Sequence, residues 1–277
     1  MGNRVMKMNN LVDSHVHCDY SDDCRISALS QIERAIELGL KGIAFTDHYD
    51  IDYPNPRYTF EFDVSARRKN IHDMAIHYER KLSLLHGIEI GIQPHVINQA
   101  AEVIKNGQFD CVICSTHAVE GFSLCSQSGF FEGKTKQEVY NRYLDEIYSA
   151  ISQFHDYDIV GHIGYVRRYG PYANRSMPYK EFSDAIDRIL KKVIEDGKGI
   201  EINTSGFAYK LGSTIPEIDI IVRYKQLGGE IITIGSDAHT KERVADNFDQ
   251  ALAILQHVGF NYVAYFKNRK PVFNKLQ

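Results

Sequence analysis

Short apolar runs alternate with longer segments of helical period seven times along this chain, and that alternation limits what it can fold into. Runs at 11–14, 43–46, 84–89, 110–115, 159–162, 199–203 and 231–236 read as strands. Stretches at 28–38, 64–82, 95–105, 136–154, 179–195, 215–226 and 241–258 read as helices. Strand-then-helix repetition builds a parallel sheet with helices packed on it. Gly39, Gly197, Gly228 and Gly259 fall just past the expected helix ends, where a left-handed residue is wanted. No Pro/Gly/Ser-rich linker or charge run interrupts the series, so the 277 residues predict one α/β barrel domain over 1–277. Its end, from about 260 to 277, reads as a short strand and a tail. The runner-up, an open doubly wound sheet, lacks a Gly-x-Gly-x-x-Gly after its first strand, and no Gly-Lys-Ser/Thr phosphate loop occurs. Two long connections, 50–63 and 118–135, carry aromatics and turn formers and read as lids.

Several function classes are excluded by composition. Thirty-two basic against 36 acidic residues leave a net charge of −4, which offers no positive field for a nucleic-acid backbone. Arg67-Arg68-Lys69 and Lys191-Lys192 are isolated clusters on helices. No stretch approaches the ~18–20 apolar residues of a membrane span, and residues 1–10 lack an apolar signal core, so the expectation is a cytoplasmic protein without membrane partners. The five cysteines, an odd and sparse set, read as reduced thiols. Cys111 and Cys114 form a Cys-x-x-Cys inside an apolar run and read as buried strand cysteines.

The twelve histidines matter by position. Active sites of βα barrels lie at the C-terminal ends of the strands. Those ends read Asp13-Ser14-His15-Val16-His17, Thr46-Asp47-His48, His86-Gly87-Ile88-Glu89, Ser115-Thr116-His117, Gly161-His162 and Ser236-Asp237-Ala238-His239. In an extended segment, alternation puts His15 and His17 on one side, about 7 Å apart along the chain. One histidine after a strand is more often a hydrogen-bonded structural residue. Six strand ends with the same chemistry at one barrel mouth would be costly unless something binds them. His, Asp and Glu without cysteine favour zinc, manganese or iron, and there are more ligands than one ion can use, so two or three divalent ions are expected.

In this order the motifs resemble the PHP (polymerase and histidinol phosphatase) superfamily, across Asp13 to His239. Within it the chain is similar to the monofunctional histidinol-phosphate phosphatases, through residues 42–48 with Asp52-Tyr53-Pro54, Phe130-Phe131-Glu132-Gly133-Lys134 and Arg167-Arg168-Tyr169-Gly170-Pro171. The resemblance implies a distorted (β/α)7 barrel with a trinuclear centre that hydrolyses L-histidinol phosphate, a small-molecule phosphate ester, in histidine biosynthesis. By the same resemblance, His15, His17, Glu89 and Asp237 would hold a first ion. Glu89 would bridge to a second with His117 and His162. His48, His239 and Asp23 would hold a third, with Asp22 as Asp23's rival. Asp13 and Asp47 would orient ligand imidazoles. Two departures stand out. The segment Gly161-His162-Ile163-Gly164 has glycine where many relatives carry aspartate, which removes an expected supporting hydrogen bond. Residues 123–129 lack the acidic, tyrosine-rich loop associated with the phosphatase branch.

Monoester hydrolysis also asks for charge on the phosphoryl oxygens and a proton for the leaving alkoxide. Arg168, with Arg167 beside it, is the expected phosphoryl clamp, and Lys210 is a further cation. Asp23, His239 or a bound water is the expected proton donor. Glu201 faces an amino or imidazole group or caps its strand end. A phosphodiesterase of the same fold is the alternative function.

Overall fold

The structure, a computed structural model, describes residues 8–125 and 129–276. The polar segment 1–7, and residues 126–128 of the loop expected to differ from relatives, lie outside that range. Seven parallel strands pair in chain order: β1 (Val12–Val16), β2 (Gly42–Phe45), β3 (Ser83–Gly91), β4 (Cys111–Ser115), β5 (Ile159–Val160), β6 (Gly199–Asn203) and β7 (Ile232–Gly235). They are buried on both faces, which is why they read in the sequence as unbroken apolar runs rather than as alternation. After β2 the chain breaks at Thr46-Asp47 and resumes as a two-residue strand, His48–Tyr49, beside the upper half of β3.

The barrel is nearly closed, and its seam lies between the last strand and the first. Asp237 N donates to His15 O at 2.8 Å and His17 N to Ala238 O at 3.0 Å. Buried Gln31 reaches in from the first helix and donates to both His17 O and Ala238 O. On the outer side Asp13 accepts from Ser236 N, Ser236 Oγ and Ala245 N. Asp13 therefore fixes the seam's backbone; it touches no imidazole ring, contrary to the role expected for it. Its desolvation raises its pKa to about 6 despite those donors.

The longer helices are α1 (Ala28–Glu37), α2 (Val64–Tyr78), α3 (Ile97–Gly107), α4 (Lys136–Gln153), α5 (Ser183–Glu195), α6 (Ile218–Gln226) and α7 (Phe248–Val258). Ser27 and Asp63 cap the N-termini of α1 and α2, and Thr135 with Glu138 forms a reciprocal capping box on α4. The four glycines past helix ends have φ of 67–92°. Four expected helices start later than their apolar period suggests, the one expected from 95 beginning at Ile97 after a 3-10 turn at Pro94–Val96. Tyr179–Glu181 and Lys241–Arg243 are separate 3-10 turns. Ile215 is bridged to Asn203 and so is extended rather than helical.

The chain end is not a strand and a tail. It is a hairpin of β8 (Tyr262–Lys267) and β9 (Lys270–Lys275), turned by Asn268 and Arg269 at φ 52° and 63°. Two consecutive left-handed residues suit a twisted two-residue hairpin turn. This hairpin stops the lower end of the barrel: Tyr265 packs on Val12, Ala44 and Leu85, and Phe266 on Cys111, Ile113 and Ile159. Arg269 Nε donates to Asp158 at 2.5 Å and Asn268 N to Asp110. All five cysteines are free, and Cys111 and Cys114 are buried in β4. Among the described residues no helix is long and apolar enough to cross a membrane.

Candidate metal centre

At the upper end of the barrel the strand termini bring His15, His17, His48, Glu89, His117, His162, Asp237 and His239 together, and Asp23 approaches from the segment after β1. Glu89, fully buried on β3, lies at the middle. Its Oε1 faces His162 Nε2 at 2.7 Å and His117 Nε2 at 3.1 Å, and accepts from Ser115 Oγ at 2.7 Å. Its Oε2 has His48 Nδ1, His15 Nε2 and His17 Nε2 at 2.8, 3.1 and 3.5 Å. Asp237 Oδ1 is 3.3 Å from His17 Nε2. Asp23 Oδ2 is 3.4 Å from His239 Nε2 and 3.6 Å from His48 Nε2. Asp22 is directed elsewhere and accepts from Thr59 N.

Glu89 Oε2 is buried and has no hydrogen-bond partner despite its three imidazole neighbours. A carboxylate oxygen and nitrogen lone pairs converging without donors between them are what a cation needs, so these residues fit divalent metal. Sets of candidate ligand atoms within 4.8 Å of one another include His15, His17 and Glu89; Glu89, His117 and His162; and His17, His48 and His239. Burial alone would raise Glu89, yet His15, His48 and His117 hold its carboxyl well below the usual range. Burial, with His239 and His48 nearby, pushes His17 down to about 3. For His48, burial is outweighed by Glu89 and Asp23, and its pKa rises to about 9.

The rings are oriented from behind. Glu201 Oε1 holds His15 Nδ1 at 2.6 Å, so its imidazole partner is a ring of the protein itself, and Asp50 Oδ2 holds His117 Nδ1 at 2.7 Å. Two glycines leave room for these carboxylates. A Cβ at Gly235 would collide with the Glu201 carboxylate and His15 Cβ, and one at Gly91 with the Asp50 carboxylate. Asp47 does not contact a ring directly; it accepts from Ser21 Oγ, which in turn meets His17 Nδ1. The sequence reading missed Asp50 and Ser21. Asp50 had a signal, since His48-x-Asp50 repeats the spacing of His15-x-His17. His162 Nδ1 is buried without a partner. Gly164, two residues on, has φ 122°, where side chains are rarely found, and its turn is held instead by the Tyr143 hydroxyl, which accepts from Gly164 N and Tyr165 N and donates to His162 O.

The expected phosphoryl-binding cations are distributed differently. Arg168 is buried; its guanidinium donates to Asp237 Oδ2 and Ser205 Oγ, both at 2.5 Å, between the rings of Tyr165 and Tyr209. Arg167 turns away to Glu217, Ser213 and the Arg175 carbonyl. Lys210 is exposed, and a cavity of about 660 Å³ above the cluster is lined by Arg57 rather than by Arg167, Arg168 or Lys210. The other lining residues include Asp23, His48, His117, Tyr53, Tyr58, Phe60, Tyr165, Tyr169 and Tyr209. Much of this wall comes from the connection 50–63, one of the two expected lids.

Known proteins resemble the chain throughout its length. It is 28% identical to histidinol-phosphatase of Lactococcus lactis subsp. lactis (strain IL1403), over 95% of this chain and 97% of that protein. It is 32% identical to a protein named "Probable histidinol-phosphatase" of Clostridium acetobutylicum, over 94% and 95%. The fold superposes with a TM-score of 0.89 on the crystal structure of histidinol phosphate phosphatase from Lactococcus lactis subsp. lactis Il1403 complexed with zinc, L-histidinol and phosphate, at 28% identity, covering 95% of this chain and 99% of that one. Residues 13–205 match the PHP domain, a span that begins in β1 with the first histidine motif and takes in Glu89, His117 and His162. With that match over most of its length and the imidazole–carboxylate cage at the barrel mouth, the chain belongs to the PHP domain family.

Proposed function

We propose that the chain hydrolyses L-histidinol phosphate to L-histidinol and phosphate in the cytoplasm, using two or three divalent ions of zinc, iron or manganese. The observation that carries the proposal is Glu89, a buried carboxylate facing imidazoles with both oxygens. The relatives named histidinol-phosphatase, and the neighbouring structure holding zinc, L-histidinol and phosphate, support the substrate.

In this reading His15, His17, Glu89 and Asp237 hold one ion, Glu89, His117 and His162 a second, and Asp23, His48 and His239 a third. Bound ions supply Lewis acidity toward phosphoryl oxygens and lower the pKa of water. Arg168 keeps Asp237 ionised and aimed through Nη2, so it supports the cage, and Nη1, which makes no hydrogen bond, is the nitrogen left for a phosphoryl oxygen. Arg57, exposed at the cavity rim, is the lining cation placed to meet an anionic substrate directly. Tyr53, Tyr58, Phe60 and Tyr165 give the leaving group an aromatic wall that suits a flat, weakly basic ring and excludes bulk water. Asp23, held ionised by His48 and His239 against its burial, is an acceptor. His239 Nδ1 donates to Asp237 O, which leaves Nε2 facing Asp23. Both suit a cation better than they suit protonation of a leaving alkoxide.

The test is phosphate release from histidinol phosphate beside a panel of monoesters and bis-p-nitrophenyl phosphate, with metal content measured on the same sample. The expected result is a strong preference for histidinol phosphate, abolished by chelator and lowered at least about 100-fold by Glu89→Gln. Better cleavage of the diester, or equal weak turnover of every ester, would sink the assignment.

A further inference from the structure

The rings of the cage are held in different ways. A carboxylate backs His15 and another backs His117, whereas His17 Nδ1 meets only the Ser21 hydroxyl, at 3.0 Å. A hydroxyl can accept or donate, so by itself it would leave the imidazole tautomer undetermined. The surroundings of Ser21 remove that freedom. Ser21 Oγ lies 3.1 Å from Asp47 Oδ1, and the backbone N of His48 donates to the same oxygen at 3.0 Å. An ionised carboxylate has no proton to give, so the single hydroxyl proton of Ser21 points to Asp47. One lone pair then accepts from His48 N, and the other is left for a proton on His17 Nδ1.

Asp47 is in turn fixed by groups that only donate. Cys18 N reaches Oδ1 at 2.6 Å and Arg67 Nε reaches Oδ2 at 2.7 Å. Arg67 is a completely buried arginine of α2. Its terminal nitrogens donate to Phe45 O at 2.7 Å, Gly87 O at 2.9 Å and His86 Nδ1 at 2.8 Å, so the guanidinium ties the end of β2 to the middle of β3. Every partner on the Asp47 carboxylate is a donor, which is the condition under which Ser21 must donate as well.

We infer that Arg67, Asp47 and Ser21 form a hydrogen-bonded relay that sets the tautomer of His17, with the proton on Nδ1 and the Nε2 lone pair facing Glu89 and Asp237. Ser21 and Arg67 are positioning residues: they touch neither substrate nor ion and act through His17. The inference rests on the proposed reading of His17 as a metal ligand. It assigns the cage a dependence on a side chain of α2 that carries no metal-binding group itself.

The test compares the wild type with Ser21→Ala and His17→Asn. Long-range proton–nitrogen correlation spectra of metal-stripped protein report the His17 tautomer, and competition with a chelator reports zinc affinity. The wild type is expected to carry the proton on Nδ1. Ser21→Ala is expected to lose that fixed tautomer and to bind zinc 10–100-fold more weakly, roughly the range for removal of a ligand-orienting partner, while its circular dichroism stays that of the folded barrel. A wild-type proton on Nε2, or unchanged zinc affinity in Ser21→Ala beside a weakened His17→Asn, overturns the relay alone. Unchanged affinity in His17→Asn overturns the ligand reading and the relay with it. The wild-type spectrum decides the tautomer even if a variant fails to fold.

Discussion

Gly235 shows how closely the cage is fitted. Its missing side chain is the space into which Glu201 leans to hold His15, and neither neighbour can retreat, because Glu201 also accepts from His162 N and Asn203 Nδ2. Gly235→Ala is expected to lower stability by about 1–3 kcal/mol, as overpacking does, and to weaken metal binding; a denaturant titration with a chelator competition checks both. His86 offers a test in the acid range. It is buried against Phe109, accepts a hydrogen bond from Arg67, and is pushed down to about 3, first by burial and then by that arginine. A histidine with a lowered folded pKa costs nothing above its unfolded value of about 6.5 and destabilises as pH falls below it, because only the unfolded chain takes the proton. Between pH 7.5 and 5.0 this amounts to on the order of 2 kcal/mol, and His86→Asn, which keeps an acceptor for Arg67, is expected to lose that much less over the same interval. An identical pH dependence of the denaturation midpoint in the two proteins would refute it. The sequence made the candidate ligands readable because all but Asp23 lie on or just past an apolar strand. Their supports were hidden: Asp50, Ser21 and Arg67 sit in loops or on a helix and meet the rings only through the fold.

Burial explains which elements could be read. A parallel barrel strand is covered on both sides and shows as a continuous apolar run, so all seven were visible, including two-residue Ile159–Val160. The hairpin's second strand, Lys270–Lys275, is mostly exposed with only Asn274 fully buried, and gives no such run. Helix starts at 218 and 248 were obscured because apolar residues continue into preceding turns that pack on the core without being helical. The hairpin should matter for stability and not for chemistry. Arg269 is the partner of Asp158, which is 4% exposed. Arg269→Met is expected to cost about 2 kcal/mol by leaving a buried carboxylate without its charge partner, with kcat per folded molecule unchanged. A drop in kcat without loss of stability would contradict the separation of the two barrel ends.

The cage draws its members from six strand ends around the barrel, so cation binding and folding are coupled. A divalent ion that binds only the folded chain, at 100 times its dissociation constant, adds about 2.7 kcal/mol, or a rise in thermal midpoint of roughly 5–10 °C for a chain of this size. Thermal denaturation with zinc, manganese or chelator checks this, and coincident midpoints would contradict the proposed centre. The seam between β7 and β1 carries a further consequence. It sets His15 and His17, made early in synthesis, against Asp237 and His239, made more than two hundred residues later. A ribosome elongating the chain must release nearly all of it before Asp237 can join the candidate ligands of β1. In the proposed arrangement the ion shared by His15, His17, Glu89 and Asp237 is thus completed only after translation has passed Asp237, and products of premature termination or of cleavage before Asp237 lack part of the candidate ligand set.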